Sequence, residues 1–186
     1  MALLDNITQE TLDQQTSGLL AIGLYIFKIG KVEDIKARNT QSQAVRISLN
    51  AKFRIVKEEA PEDNTNAKAT YSHEETFGNT NIAFWIVGKA GAVNEVGINQ
   101  LLAFCSSASR ITEVAELKQR YNADTVSELA MKVGQLEGQF MKATVEHTLS
   151  DSYTDSEGNP IKQANIKYFK QLLPSEEELV AEVTPF

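Results

Sequence analysis

VRISLNAKFRIVK, residues 45–57, is the stretch on which the fold turns. Apolar and polar residues alternate along it: Val45, Ile47, Leu49, Ala51, Phe53 and Ile55 against Arg46, Ser48, Asn50, Lys52 and Arg54. Successive side chains of an extended chain point to opposite sides, so this alternation predicts a strand with one buried face and one wet, basic face. Such a strand belongs in an antiparallel sheet covered on one side.

The flanking segments extend the same pattern. GLLAIGLYIFKIGKVEDIKA (18–37) is rich in β-branched and aromatic residues and holds two internal glycines, which predicts a long strand bent or bulged near Gly23 or Gly30. ARNTQSQ (37–43) is a polar turn, and residues 58–69, with four acids and Pro61, read as a loop. YSHEETFG (71–78) and IAFWIVGKAG (82–91) suggest two more strand segments, as a hairpin or as one interrupted strand.

From about Gly97 the spacing becomes helical. Ile98, Leu101, Leu102 and Cys105 fall on one stripe. ITEVAELKQRY and TVSELAMKV read as two further helices, with Asp124 as a candidate N-cap. Strands return with FMKATVEHTLSDSYT (140–154), and SEGN before Pro160 marks the turn into IKQANIKYFKQLL.

Strands, helices, then two strands make an α+β fold, mainly β and mostly antiparallel. A five-stranded Greek-key barrel of the OB type, with a helical insertion between strands 3 and 4, suits this order; a β-sandwich with a helical insertion is the alternative. The expected layout is a leader over residues 1–17, one domain over 18–173, and a flexible acidic tail over 174–186. No internal repeat is visible.

Composition bounds the function. The chain has 186 residues, 42% hydrophobic and 23% charged, which describes a globular domain of ordinary size. No apolar run reaches the roughly 20 residues that cross a bilayer, and MALLDNITQE is unlike a signal peptide, so a cytoplasmic protein is expected. The lone Cys105, in LLAFC, reads as a buried structural thiol. His73 and His147 have no partners at metal-ligand spacing, GKAG (88–91) is not a phosphate-binding loop, and no nucleophile elbow occurs. The expectation is a protein without catalytic residues, metal or cofactor.

Charge is segregated. Net charge is −7, yet Lys28, Lys31, Lys36, Arg38, Arg46, Lys52, Arg54 and Lys57 are opposed between Gly18 and Lys57 only by Glu33 and Asp34. Single-stranded nucleic acid requires cations for its phosphates and exposed rings for its bases. Lys28, Lys31, Lys36, Arg38, Arg46, Lys52 and Arg54 are therefore the candidate phosphate contacts. Tyr25, Phe27 and Trp85 are the candidate stacking platforms. One of Phe84 and Trp85 belongs to the core and the other does not, and Phe53 reads as core. Tyr153, Lys162, Lys167, Tyr168 and Lys170 extend the surface. The bland counterpart is that strand lysines and arginines also keep a sheet edge from aggregating.

The chain ends SEEELVAEVTPF. This acidic stretch closing on Pro-Phe resembles the C-terminal tip of bacterial and phage single-stranded DNA-binding proteins. In that family the tip is bound by replication and recombination proteins, and it competes with DNA for the basic groove. The resemblance implies that Glu176, Glu177, Glu178, Glu182, Pro185 and Phe186 recruit partners. A wider layout, GLYIFKIGKVE, QAVRISLNAKF, NIAFWIVGKAG, INQLLAFC and LEGQFMKATVEHTLSDSYTDSEGNPIKQANIKYFK, is similar to the OB-fold single-stranded DNA-binding proteins of tailed bacteriophages. LVA (179–181) interrupts the glutamates and no long Gly/Gln/Pro-rich linker precedes them, which favours a phage protein with its own partners. The expected function is sequence-independent single-stranded DNA binding in DNA replication, recombination or repair, with homo-oligomerisation left open. The alternative is a non-enzymatic protein–protein interaction module, such as a virion component or an inhibitor of a host factor.

Overall fold

A computed structural model describes residues 19–56, 70–73 and 79–183. The expected leader, the loop at 58–69, Lys57, Pro185 and Phe186 lie outside the described residues. Among them are six strands: β1 (Gly23–Lys36), β2 (Gln43–Val56), β3 (Thr70–His73), β4 (Asn79–Val87), β5 (Phe140–Thr154) and β6 (Pro160–Lys170). Helices α1 (Glu95–Ser109), α2 (Val114–Tyr121) and α3 (Val126–Val133) stand between β4 and β5, and α4 (Pro174–Val183) follows β6.

The strands form one antiparallel sheet in the order β3-β2-β1-β5-β6, with β4 also paired to β2. β3 covers β2 from Phe53 to Val56 and β4 covers it from Gln43 to Asn50, so the two are successive parts of one interrupted strand position. No ladder joins β4 to β6 among the described residues, and the sheet is open there rather than a closed barrel. The two edges nevertheless face a common core, where Phe84 of β4, Phe104 of α1 and Phe169 of β6 meet with ring centroids 5.4–5.9 Å apart.

β1 is long and bent, as its glycines suggest. Its register against β2 shifts between Ile26 and Phe27 and again between Ile29 and Val32, around Gly30. Bulges bend and twist a strand, and this bend lets β1 serve β2 along its length and β5 over Gly23–Lys28.

The first shift changes the reading of β2. Ile26 pairs with Phe53 and Phe27 with Ala51, which leaves Lys52 as the extra residue. Val45, Ile47, Leu49 and Ala51 pack in the main core with Tyr25, Phe27, Met141 and Val145. Phe53 and Ile55 instead join Ile26, Leu172 and Val180 in a second cluster. All six alternating apolar residues are buried, but in two cores on opposite sides of the sheet.

The helices close the main core. Asn94 caps α1 by accepting from the Gly97 N–H at 3.3 Å. A β-carbon on Gly97 would stand 1.8 Å from the Trp85 carbonyl oxygen, so only glycine lets α1 start this close to β4. Leu101 and Cys105 of the expected stripe are buried, and burial pushes the Cys105 thiol up to about 12. The N-cap of α3 is Thr125, not Asp124: its hydroxyl accepts from the Glu128 N–H at 3.1 Å, and the Glu128 carboxylate accepts from the Asp124 N–H.

The expected flexible tail is instead a helix through Val183. Pro174 opens α4, and Glu176 reaches back to accept from the Leu173 N–H at 3.0 Å, which satisfies a donor at the helix start. Leu172 and Val180 are buried with Ile26, Phe53 and Ile55. No helix among the described residues is long and apolar enough to cross a membrane.

Candidate nucleic-acid interface

Cross-strand partners share a face of an antiparallel pair. On the side of the sheet away from the main core, β2 presents Arg46, Ser48 and Asn50. Beside them β1 places Glu33 and Lys28, and β4 places Ala83, Asn81 and Asn79. Ser48 donates to the Asn81 amide oxygen at 3.1 Å, so this centre is polar.

Its charges are partly spent. Arg46 and Glu33 are directly opposed, and the Arg46 Nε–H donates to Glu33 Oε1 at 2.8 Å. Lys31 Nζ lies 3.1 Å from Glu33 Oε2. Those two cations, the guanidinium above all, hold the Glu33 carboxyl below its ordinary value. Lys28 sits with its ammonium 5.9 Å from the Phe140 ring. Lys52 occupies the bulge and is half-buried.

A freer cluster stands at the end of the sheet. Lys36 ends β1 and Arg38 follows in the turn; both are exposed, with no ion pair among the described residues. The Gln41 N–H donates to the Lys89 carbonyl at 3.2 Å, which ties that turn to the one after β4 and adds Lys89 to the same end. Trp85, opposite Ala44 and near this end, is 42% exposed, whereas Phe84 is buried. Lys89 escaped the sequence reading because GKAG was weighed only as a phosphate loop; its place in a turn closing a strand was the available signal.

Three expected site residues have other roles. Tyr25 and Phe27 are fully buried, their rings 5.8 Å apart, so neither offers a face to a base. The reason lies in β1: Tyr25, Phe27 and Ile29 point into the main core, where their area is worth most. The Tyr25 hydroxyl donates to the Ala21 carbonyl at 3.0 Å. Arg54 leaves the basic face after the bulge; it donates to the Ile22 carbonyl at 2.9 Å and lies 6.0 Å from the Tyr25 ring, where it covers the start of β1.

The C-terminal acids divide likewise. Glu176 is buried and its Oε1 lies 2.9 Å from Lys142 Nζ. Glu177 pairs with Arg110. Glu178 and Glu182 are exposed. Because Ile26 pairs with Lys142 and also with Phe53, α4 covers one half of the same outer face whose other half carries Arg46 and Asn50.

No family model matches this chain, and no curated protein matches it significantly.

Proposed function

We propose that this chain is a sequence-independent single-stranded DNA-binding protein without catalytic activity, acting in phage DNA replication, recombination or repair. On this reading the sheet is an OB-type barrel left open between β4 and β6. The bent β1 shared by two neighbours and the helices set between β4 and β5 support that assignment.

The observation that carries the function is the exposed Trp85 at the end of the sheet bearing Lys36, Arg38 and Lys89, next to the polar face of Arg46, Ser48 and Asn50. An exposed indole stacks on bases of any identity, and cations around it track the backbone, which gives affinity without sequence preference. Acidic α4 lies across the other half of that face, and among the described residues of the tail Glu178 and Glu182 are exposed to a partner. The test is anisotropy of labelled oligothymidine across a salt series, with duplex DNA as control. Strand-selective binding that weakens with salt is expected. A protein that ignores oligothymidine at low salt sinks the proposal.

One observation favours a second reading. An apolar cleft of about 810 Å³ runs between the end of β4 and helices α1–α3, lined by Val93, Ile98, Leu102 and Leu129 among others. A protein–protein module, such as a virion component or host-factor inhibitor, would use it, and it predicts no affinity for nucleic acid.

A further inference from the structure

β6 interrupts its own ladder at Tyr168. Lys170 pairs with Lys142 and Lys167 with Thr144, so Tyr168 and Phe169 together stand against the single intervening residue, Ala143. The bulge frees Phe169 to join Phe84 and Phe104. It also holds Tyr168 at φ +56°, in the left-handed region. Glycine suits such a bulge position, because a β-carbon there is strained. Burial does not offset that strain, since Tyr168 is 63% exposed.

The residue borders a groove of about 400 Å³ between the edges of β4 and β6, which no ladder joins among the described residues; this volume is in the range of small-ligand sites. Gln100 and Asn165 are the amide-bearing residues of its lining, and Ala83 and Lys167 stand on its two banks. β6 carries Lys162, Lys167 and Lys170 and no acid, although Lys167 shares its charge with Glu146 at 3.0 Å. Ala83 is the cross-strand neighbour of Arg46, so the groove continues the basic face around the sheet.

We propose that this groove is a nucleobase subsite: the Tyr168 ring is its stacking platform, the Gln100 and Asn165 amides bond to the base edge, and Lys167 serves the adjoining phosphate. The subsite rests on the single-stranded DNA reading above and lies beyond the first two strands, where the sequence concentrates its basic residues. The aromatic then stays on a strained bulge because its use is external.

The test compares wild type, Tyr168→Gly, Tyr168→Phe and Trp85→Ala for oligothymidine affinity and thermal midpoint. Tyr168→Gly should melt higher, with strain relieved, yet bind about 5- to 150-fold more weakly, the range expected for loss of one stacked base. Tyr168→Phe should bind as wild type. Ultraviolet crosslinking of wild type to a bromodeoxyuridine-substituted oligonucleotide should modify the peptide holding Tyr168, which decides the matter even for a variant that folds poorly. Undiminished binding by Tyr168→Gly beside a weakened Trp85→Ala, or crosslinks confined to other peptides, overturns the subsite and leaves the interface standing. A wild type that binds no oligothymidine overturns both.

Discussion

Glu176 Oε1 lies 2.9 Å from the Lys142 ammonium, with both side chains buried, so one charge pair fastens the C-terminal helix to the outer face of the sheet. The same carboxylate caps α4 through the Leu173 N–H. A buried pair of this kind is seldom more stable than an apolar replacement, but removal of one partner strands the other charge away from water.

Glu176→Ala should therefore cost about 3–5 kcal/mol of stability in urea denaturation. The double change Lys142→Met with Glu176→Leu should fall much closer to wild type. Equal losses in single and double variants would show that the lost pair and cap contacts, rather than a stranded Lys142 charge, set the cost.

Glu33 restrains the polar face by occupying Arg46 and Lys31 at once. Glu33→Gln should raise oligothymidine affinity and steepen its salt dependence by up to about two counterions, one for each released cation. An unchanged slope would mean that neither cation meets phosphate.

The chain has one tryptophan, so Trp85 reports its own surroundings. DNA should quench its fluorescence, and Trp85→Ala should lose about 1–3 kcal/mol of binding while the denaturation midpoint hardly moves. Tyr25→Phe should do the reverse: about 1 kcal/mol of stability lost with its buried hydrogen bond, and binding unaltered.

Among the described residues, three carboxyls are held below their ordinary values by hydrogen bonds. Arg46 and then Lys31 act on Glu33, the Asp124 N–H and then Lys132 on Glu128, and the Asn159 N–H first of all on Asp155. A lowered folded value means a contribution that is full above the ordinary values of 4.5 and 3.8 and is lost as pH falls through the folded ones. The melting midpoint should thus decline on the acid side from about pH 5 downward, and Asp155→Ala should flatten part of that decline.

Much of this protein is local enough to read directly from its residues. Alternation in β2, the glycines of β1, the helical stripe of α1 and the SEGN turn before β6 are matters of neighbouring side chains, and each element stands where its period puts it. The turn closes through Asp155, whose carboxylate accepts from the Glu157 and Asn159 N–H groups at 2.9 Å. The segregation of basic residues into the first two strands is equally plain in the chain.

Which side of the sheet those residues reach was decided only in three dimensions. Alternation says that neighbours point apart, but one bulged residue, Lys52, reverses the sides, sending Phe53 beneath α4 and Arg54 to the Tyr25 ring. Glu33 and Arg46 are 13 residues apart in the chain and meet only through strand register. Trp85 is exposed and Phe84 buried because α1 and β6 cover one side of β4. The acidic C-terminal segment, solvated by composition, is a docked helix because Leu172 and Val180 meet Ile26, Phe53 and Ile55, and because Lys142, 34 residues earlier, offers Glu176 a buried partner. Periodicity is a property of the backbone between neighbours, whereas burial and charge pairing depend on segments that only folding brings together.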